Sequence, residues 1–412
     1  MRCRRAITFE IGIAFCAAAL MLVAALYWSA KEPSVEKRDF SVTYLGARMV
    51  HLGLGPKVYD ISEQRKLKAT LLPNSEPLIF EHPPFEALLL SPLAALPYRT
   101  AYLVWGAVNI VIWLVLPWLL HPYAPVPRER LAYFALWFLF MPLGVTLFQG
   151  QSSLLVLLLF SLAFISFKRG EEFRAGIALG LALFKFQFVI PMVLIFLFLG
   201  KWKVIRGFLG MASVLGILSF VAVGWAGLAN YVHLLTAIAS QPDNSSFGAA
   251  VDMATVQGFV HAVLGRVLNH VTVSLIVSLI SGLLIVSTAW QWKRATHSGL
   301  DKADDVMFGA AIIVSLVTGL HMFTHDLSPL ILAMLVVLPN VVESRGTLPR
   351  VLTGCLILLW IPPLYFALLA SHHIYLLFPL LLFLKVGLMK IVVLPQRTSF
   401  PLTGVRHLRE AT

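Results

Sequence analysis

Asp39 is the ionisable residue whose position most directly suggests chemistry. It lies in Lys37-Arg38-Asp39-Phe40, shortly after the first apolar stretch, and opens the long polar loop of an otherwise apolar chain. A carboxylate held at a membrane surface could take a proton from a hydroxyl while the bilayer delivers a lipid-borne substrate. The position also fits a helix N-cap, a common role of aspartate that needs no catalysis. The two roles are compatible, because a cap would fix the carboxylate at the membrane edge.

Lys185 is the second candidate, because it lies in the middle of an apolar stretch that runs from Ala175 to Leu199. A lysine at the centre of a bilayer costs about 3 kcal/mol on insertion scales. Two short helices that meet at an outer turn would bring Lys185 to the membrane surface, where it could bind a lipid phosphate. Snorkelling of its long side chain explains the residue equally well.

His82 and Gln151 lie at predicted breaks between helices. In His82-Pro83-Pro84-Phe85 the prolines favour a helix start, with His82 either simply exposed or beside a phosphate or sugar hydroxyl. In Gln149-Gly150-Gln151 the glycine supplies a turn, and Gln151 is either its polar tip or a sugar-binding residue.

His325 and Asp326, together with His321, form a further polar cluster. The two histidines are four residues apart and would share one face of a helix. Zinc sites use this spacing, but no third ligand, HExxH pattern or pair of carboxylates accompanies it, so we predict a His-Asp hydrogen bond and no metal site. The sequence has no GxSxG, P-loop or GxGxxG pattern, which argues against hydrolysis and against a sugar-nucleotide donor; no cofactor is predicted.

The composition is that of a polytopic, all-α membrane protein. Of 412 residues, 59% are hydrophobic and only 13% are charged, and the mean hydropathy is +0.84. A soluble domain carries about twice that share of charge. The net charge of +12 resides mostly in short loops, so it reports orientation in the membrane and not a nucleic-acid partner.

Apolar runs predict about 12 transmembrane helices in a single integral domain, 1–412. The first covers Ile11 to Trp28, and the others begin near Ala101, Leu131, Ser153, Ala175, Phe188, Val204, Val271, Val306, Leu327, Val351 and Ile374. The basic segments, which belong on the cytoplasmic side, are Arg128-Glu129-Arg130, Lys168-Arg169, Lys201-Trp202-Lys203, Lys293-Arg294, Arg345 to Arg350 and the tail 396–412. Both termini are then cytoplasmic, and the membrane is the plasma (inner) membrane.

This topology requires that the stretch from Pro83 to Pro97, short and broken by prolines, does not cross the membrane. The first extracytoplasmic loop then covers 31–100. It contains an interfacial amphipathic helix from Phe40 to Leu52 and a second short helix after Asp60. Residues 226–270 form a second extracytoplasmic loop that could partly cover the first.

Several short motifs, in this order and spacing, carry a resemblance to a known family. They are Arg38-Asp39-Phe40 with Tyr44, Ala47 and Arg48, then Val58-Tyr59-Asp60, His82-Pro83-Pro84-Phe85, Pro92-Leu93, Leu96-Pro97, Ala101-Tyr102 with Trp105, Gly150-Gln151, Ala175-Gly176 to Gly180 with Lys185, and His325-Asp326-Leu327. The chain resembles glycosyltransferase family 87, which comprises polyprenyl-phosphate-hexose-dependent transferases of the GT-C fold.

The resemblance implies an inverting transfer on the extracytoplasmic side, with Asp39 as the general base. It implies a polyprenyl-phosphate sugar as donor, with mannose as the sugar that the family favours, and a glycolipid or polysaccharide as acceptor. Lys185, Arg48 or His82 would stabilise the leaving phosphate. The remaining predicted substrate-binding residues are Gln151, His325 and Asp326. His82 stands where the family usually has an aromatic residue.

Two other functions remain as alternatives. A transporter or flippase of lipid-linked sugars would have two halves with matching broken helices, and the sequence shows no such symmetry. A polysaccharide ligase or polymerase would place its key residues in a large late loop, whereas the longest loop here comes first.

Overall fold

The computed structural model describes residues 2–123, 130–240, 250–297 and 303–393. These residues form helices and turns, and no strand occurs among them. The predicted features at Arg128-Glu129, at Gln241 to Ser246 and in the tail 396–412 lie outside the described residues. The described chain is that of an all-α polytopic membrane protein.

The α-helices follow the predicted apolar runs closely, and further short helices lie in the loops. In chain order they are α1 (Arg2–Lys31), α2 (Phe40–His51), α3 (Ile61–Leu71), α4 (Pro84–Leu90), α5 (Tyr98–Leu120), α6 (Arg130–Leu139), α7 (Met141–Gln149), α8 (Ser153–Lys168), α9 (Glu172–Leu181), α10 (Phe186–Phe198), α11 (Trp202–Ser240), α12 (Val256–Leu264), α13 (His270–His297), α14 (Ala303–Val317), α15 (Leu330–Glu343), α16 (Thr347–Trp360), α17 (Pro362–Ala370) and α18 (Leu377–Val393).

Fewer helices are long and apolar enough to cross a membrane than the sequence predicts. Among the described residues, 6 helical stretches are long and apolar enough to cross: Tyr98–Leu120, Glu172–Phe198, Trp202–Ile238, His270–Thr296, Thr324–Glu343 and Ile374–Ile391. A seventh results if α16 and α17, which meet at a bend of 68°, form one span. Twelve crossings are therefore not confirmed, because several predicted spans correspond to helices shorter than a bilayer requires.

Helices α9 and α10, which count above as one stretch by length and composition alone, fold back as a hairpin of two shorter helices. The ammonium of Lys201, just after α10, lies 2.8 Å from the carboxylate of Glu172, at the start of α9. The ring centroids of Phe196 in α10 and Phe167 at the end of α8 are 5.4 Å apart. Both ends of the 172–198 stretch thus lie on one side, and Lys185 lies at the opposite tip, in a 3₁₀ turn over Ala182–Lys185.

The described basic turns lie on one face of the bundle, away from the Lys185 tip. Lys168 pairs with Asp305 across the helices at 2.6 Å, and Arg169 donates to the hydroxyl of Tyr123 at 2.8 Å. Glu172 and Lys201 lie on the same side. The bundle therefore has a face rich in basic turns and an opposite face, the cavity face, which carries the loop between α1 and α5.

The loop on the cavity face packs into the protein instead of lying flat on it. Residues along all sides of α2, from Phe40 to Ala47, are buried. Phe80 lies against Gly46, where an added methyl carbon would come within 2.5 Å of its ring. Helix α2 is thus packed into the protein on all sides, so the predicted exposed amphipathic face is wrong, and its interfacial position stays a prediction. Asp60 caps α3 as predicted, since its carboxylate accepts from the amides of Ser62 and Glu63.

Helix α11 changes direction at Gly224, whose φ of 65° and ψ of −173° interrupt the helix. Beyond this kink, Tyr231 packs its ring 4.7 Å from Tyr59 of the α1–α5 loop. Leu234 joins the same buried cluster as Phe80 and Val42. The second half of α11 therefore covers the loop and closes one side of the cavity face.

Candidate active site

A cavity of about 660 Å³ opens on the cavity face. Its walls are largely apolar, and its polar lining includes one group of residues around the Lys185 tip and another on α11, α12 and α13 (Thr236, Gln257, His261, His270, Ser274 and Ser278). The lining residues that carry the argument below are Asp39, Glu81, His82, Gln151, Lys185 and His321, with apolar walls from Val42, Leu78, Ile79, Phe184, Val232, Leu235, Ile238, Val277 and Leu320.

Asp39 lies at the cavity with 27% of its side chain exposed. It directly precedes α2, but its side chain makes no capping hydrogen bond, so the N-cap interpretation is wrong. Its Oδ2 instead accepts a hydrogen bond from Nε2 of Gln151 at 2.9 Å. The carboxylate is held by a residue 112 positions away, and it faces the cavity.

Gln151 links Asp39 to a buried group of charged side chains. Lys185 Nζ donates to Gln151 Oε1 at 2.9 Å and lies 3.1 Å from Asp326 Oδ1. The ring of His325 lies between the two carboxylates, with Nε2 3.3 Å from Asp326 Oδ2 and Nδ1 3.8 Å from Asp39 Oδ2. These residues close a ring of polar contacts, the Asp39 network: Asp39, Gln151, Lys185, Asp326 and His325.

The backbone around the Asp39 network is fixed by buried donors. Gly150 adopts a left-handed conformation with φ of 67°, and its carbonyl accepts from the indole of Trp105 at 2.9 Å. Ser153 Oγ donates to Asp326 Oδ1 at 2.9 Å, and Thr146 Oγ1 donates to the His325 carbonyl at 3.0 Å. Turns from three parts of the chain are thus tied together, and this holds the network in one geometry.

His82 forms the opposite edge of the cavity with Glu81 and Glu86. Its side chain is 17% exposed, so His82 is not the exposed histidine of a simple helix start. Its Nδ1 lies 3.1 Å from the carboxylate of Glu86, which is buried, and Tyr59 donates to its carbonyl at 2.7 Å. Burial opposes the imidazolium form, but the carboxylates of Glu86 and Glu81 outweigh it and raise the pKa of His82 above its usual value.

Arg48 is not brought into the site. Its Nη1 donates to the carbonyl of Ala94 at 2.8 Å, and it does not line the cavity. The structure gives it a role in holding the segment that precedes α5 against α2. Its predicted contact with the donor phosphate therefore has no support from its position.

Glu81 and His321 line the cavity but were not among the predicted site residues. Burial raises the pKa of the Glu81 carboxyl, although His82 and Lys185 partly oppose this effect. Burial lowers the pKa of His321, against the effect of Asp326. His321 had a signal in its spacing of four residues from His325, but for Glu81 the only signal was its neighbour His82. No group of three or more His, Cys, Asp or Glu residues in the described ranges is placed to hold a metal ion.

The comparisons with known proteins give one match. The model of glycosyltransferase family 87 matches residues 80–322, which include His82, Gln151 and Lys185 but not Asp39, His325 or Asp326. No curated protein and no solved structure matches the chain. Because the family match covers more than half of the 412 residues, the protein belongs to glycosyltransferase family 87.

Proposed function

We propose that the protein transfers a hexose, with mannose as the first choice, from a polyprenyl-phosphate sugar to a hydroxyl of a glycolipid or polysaccharide acceptor. The reaction takes place on the extracytoplasmic side of the plasma membrane, with inversion at the anomeric carbon. Membership of a glycosyltransferase family and the membrane-spanning helices are the firm base of this proposal. The donor, the sugar and the side of the membrane are its inferred parts.

The observation that carries the proposal is the position of Asp39. Its carboxylate faces a cavity large enough for sugar rings, and the hydrogen bond from Gln151 leaves its second oxygen available to a substrate. A general base must lie within hydrogen-bond reach of the hydroxyl that it deprotonates. Asp39 is held where an acceptor hydroxyl in the cavity would meet it.

The apolar walls support a lipid-borne donor. Val232 of α11 lines the cavity and is 59% exposed. Val277 and Ser278 of α13 line the cavity, and their neighbours Leu275 and Leu279 are exposed on the outer surface of that helix. The cavity wall is thus continuous with surfaces suited to acyl and prenyl chains, so a polyprenyl chain could remain in lipid while its phosphate enters.

The proposed step is a single displacement. Asp39 takes the proton of the acceptor hydroxyl, the hydroxyl oxygen bonds to the anomeric carbon, and the bond from that carbon to the phosphate oxygen breaks. Polyprenyl phosphate leaves with the bonding electrons and carries the additional negative charge. Lys185 and protonated His82, both in the cavity lining, supply positive charge for that phosphate, so no acid is needed to protonate it.

Asp39→Asn should reduce transfer by about 10²- to 10⁴-fold, since it removes the base and keeps the shape of the side chain. The assay is transfer from radiolabelled polyprenyl-phosphate mannose to lipid or polysaccharide acceptors in membranes that contain the protein. The matched control is Asp60→Asn, the same change in the same loop, where asparagine caps α3 as well as aspartate does.

Two results would overturn the proposal. Wild-type protein that transfers no hexose from any polyprenyl-phosphate donor would remove the proposed activity. Transfer that persists in Asp39→Asn at the Asp60→Asn level would remove Asp39 as the base.

A further inference from the structure

Glu81 differs from the other acidic residues at the cavity, because no side chain in the described part of the chain bonds to its carboxylate. Asp39 accepts from Gln151, Asp326 is bonded by Ser153 and paired with Lys185, and Glu86 lies against His82. Glu81 lines the cavity without a comparable contact. It is only partly exposed.

An unpaired carboxylate in a largely apolar cavity is costly unless something supplies it with hydrogen-bond donors. Two cationic side chains, Lys185 and His82, share its part of the cavity lining, but each is already bonded or paired elsewhere: Lys185 with Gln151 and Asp326, and His82 with Glu86. Hydroxyl groups of a ligand in the cavity can supply hydrogen-bond donors to Glu81.

We infer that Glu81 is a further substrate-binding residue, which accepts hydrogen bonds from hydroxyl groups of a sugar ring inside the cavity. The inference rests on the proposed function and adds to it a residue that selects the sugar. Asp39 and Glu81 come from opposite ends of the α1–α5 loop and face the same cavity. One carboxylate then meets the reacting hydroxyl, and the other fixes the ring by hydroxyls that do not react.

The ring bound by Glu81 is either the donor hexose or the sugar of the acceptor, and kinetics separate the two. Glu81→Gln keeps the shape but removes the charge, and the loss of a charge-assisted hydrogen bond should raise a KM by about 10- to 100-fold. A rise in the KM for polyprenyl-phosphate mannose assigns Glu81 to the donor sugar. A rise in the KM for an octyl mannoside acceptor assigns it to the acceptor. In both cases kcat should change much less than in Asp39→Asn.

A binding measurement makes the test independent of turnover. Octyl mannoside or polyprenyl-phosphate mannose should raise the Tm of the purified protein, and this ligand-induced shift should shrink in Glu81→Gln. The Tm without ligand should not fall, because the substitution leaves no buried group without its partner. Glu32→Gln, an exposed site in the same loop, is the control and should keep the full shift.

The outcomes separate this inference from the proposed function. Unchanged KM values and ligand shifts in Glu81→Gln, with an active wild type, would overturn the role of Glu81 alone. The same would follow if Glu81→Gln lowered the ligand-free Tm strongly and Glu81→Asp restored it, since that marks a structural residue. A Glu81-dependent ligand shift in a wild type that transfers nothing would support sugar binding and overturn the transfer reaction.

Discussion

The two charged edges of the cavity differ in how completely their side chains are paired. In the Asp39 network every member contacts another, and Lys185 and Asp326 are almost fully buried. At the other edge, no described side chain bonds to the carboxylate of Glu81, and the imidazole of His82 pairs with Glu86. A fully paired network fixes geometry before the substrate arrives, whereas an incomplete edge is completed by the substrate.

The difference predicts separate consequences for stability and for binding. Mutations in the Asp39 network break contacts that exist without substrate, so they should lower stability as well as the rate. Mutation of Glu81 removes contacts that form mainly in the complex, so it should act on KM, whereas mutation of His82 also breaks its existing pair with Glu86 and should have a small, pH-dependent effect on stability. The three predictions below test that division, beginning with the largest expected effect.

Lys185→Met should destabilise the protein by about 3–5 kcal/mol, because it leaves the buried Asp326 carboxylate without its cation. Thermal or denaturant unfolding of purified protein in detergent measures this loss. The double variant Lys185→Met/Asp326→Asn should recover part of it, since the unpaired charge is then also removed.

The control for Lys185 is Lys168, whose pair with Asp305 lies on the opposite face and is more exposed. Lys168→Met should cost no more than about 1 kcal/mol. If the two lysine variants are equally stable, the Asp39 network does not hold the structure together, and the division between the two edges fails.

Gly150→Ala should have an intermediate effect on stability and a larger one on the rate. Its φ of +67° is unfavourable for alanine by about 1–2 kcal/mol, and the added Cβ would lie 2.7 Å from Cβ of Phe40. Phe40 must move away from the added Cβ, and because Phe40 directly follows Asp39, this movement also displaces the Asp39 carboxylate. A small displacement of the base should reduce transfer by about 10- to 100-fold.

Gly170→Ala is the matched control, because it has the backbone strain of an alanine at positive φ but does not displace Phe40 or Asp39. Gly170 has a similar φ of +76°, but an added Cβ would meet nothing within 4 Å. It should show the stability loss without the loss of transfer. Equal transfer rates in the two glycine variants would mean that the position of Asp39 does not depend on the Gly150 turn.

Much of the fold could be predicted from the sequence where the signal is local. The apolar runs gave the starts of most long helices, Asp60 caps α3, and Gly150 makes the turn that its neighbours indicated. The number of crossings could not be predicted, because hydropathy does not separate a full span from half of a hairpin such as α9 and α10.

The site could be predicted only in part, because its contacts connect distant parts of the chain. Asp39, Lys185, His325 and Asp326 were selected individually, but only the fold joins them through Gln151. The same long-range packing turned Arg48 toward Ala94 and buried His82. Glu81 carries no local signal, since it matters because it lines the folded cavity with no hydrogen bond from a described side chain.

The smallest expected effect is a pH-dependent one at the Glu81 edge. The pKa of His82 is raised above the ordinary 6.5 in the folded protein, chiefly by Glu86 and Glu81 acting against burial, so folding favours the protonated ring. Its stabilising contribution is complete below pH 6.5 and is lost as the pH rises through the raised pKa. The Tm difference between wild type and His82→Gln should therefore be largest near about pH 6 and shrink toward about pH 9. His51→Gln, at an exposed site at the end of α2, should give a difference that does not change with pH. A His82→Gln difference that is constant or grows with pH would show that the ring is not held in its charged form, and it would remove the positive charge that this edge contributes to the leaving phosphate.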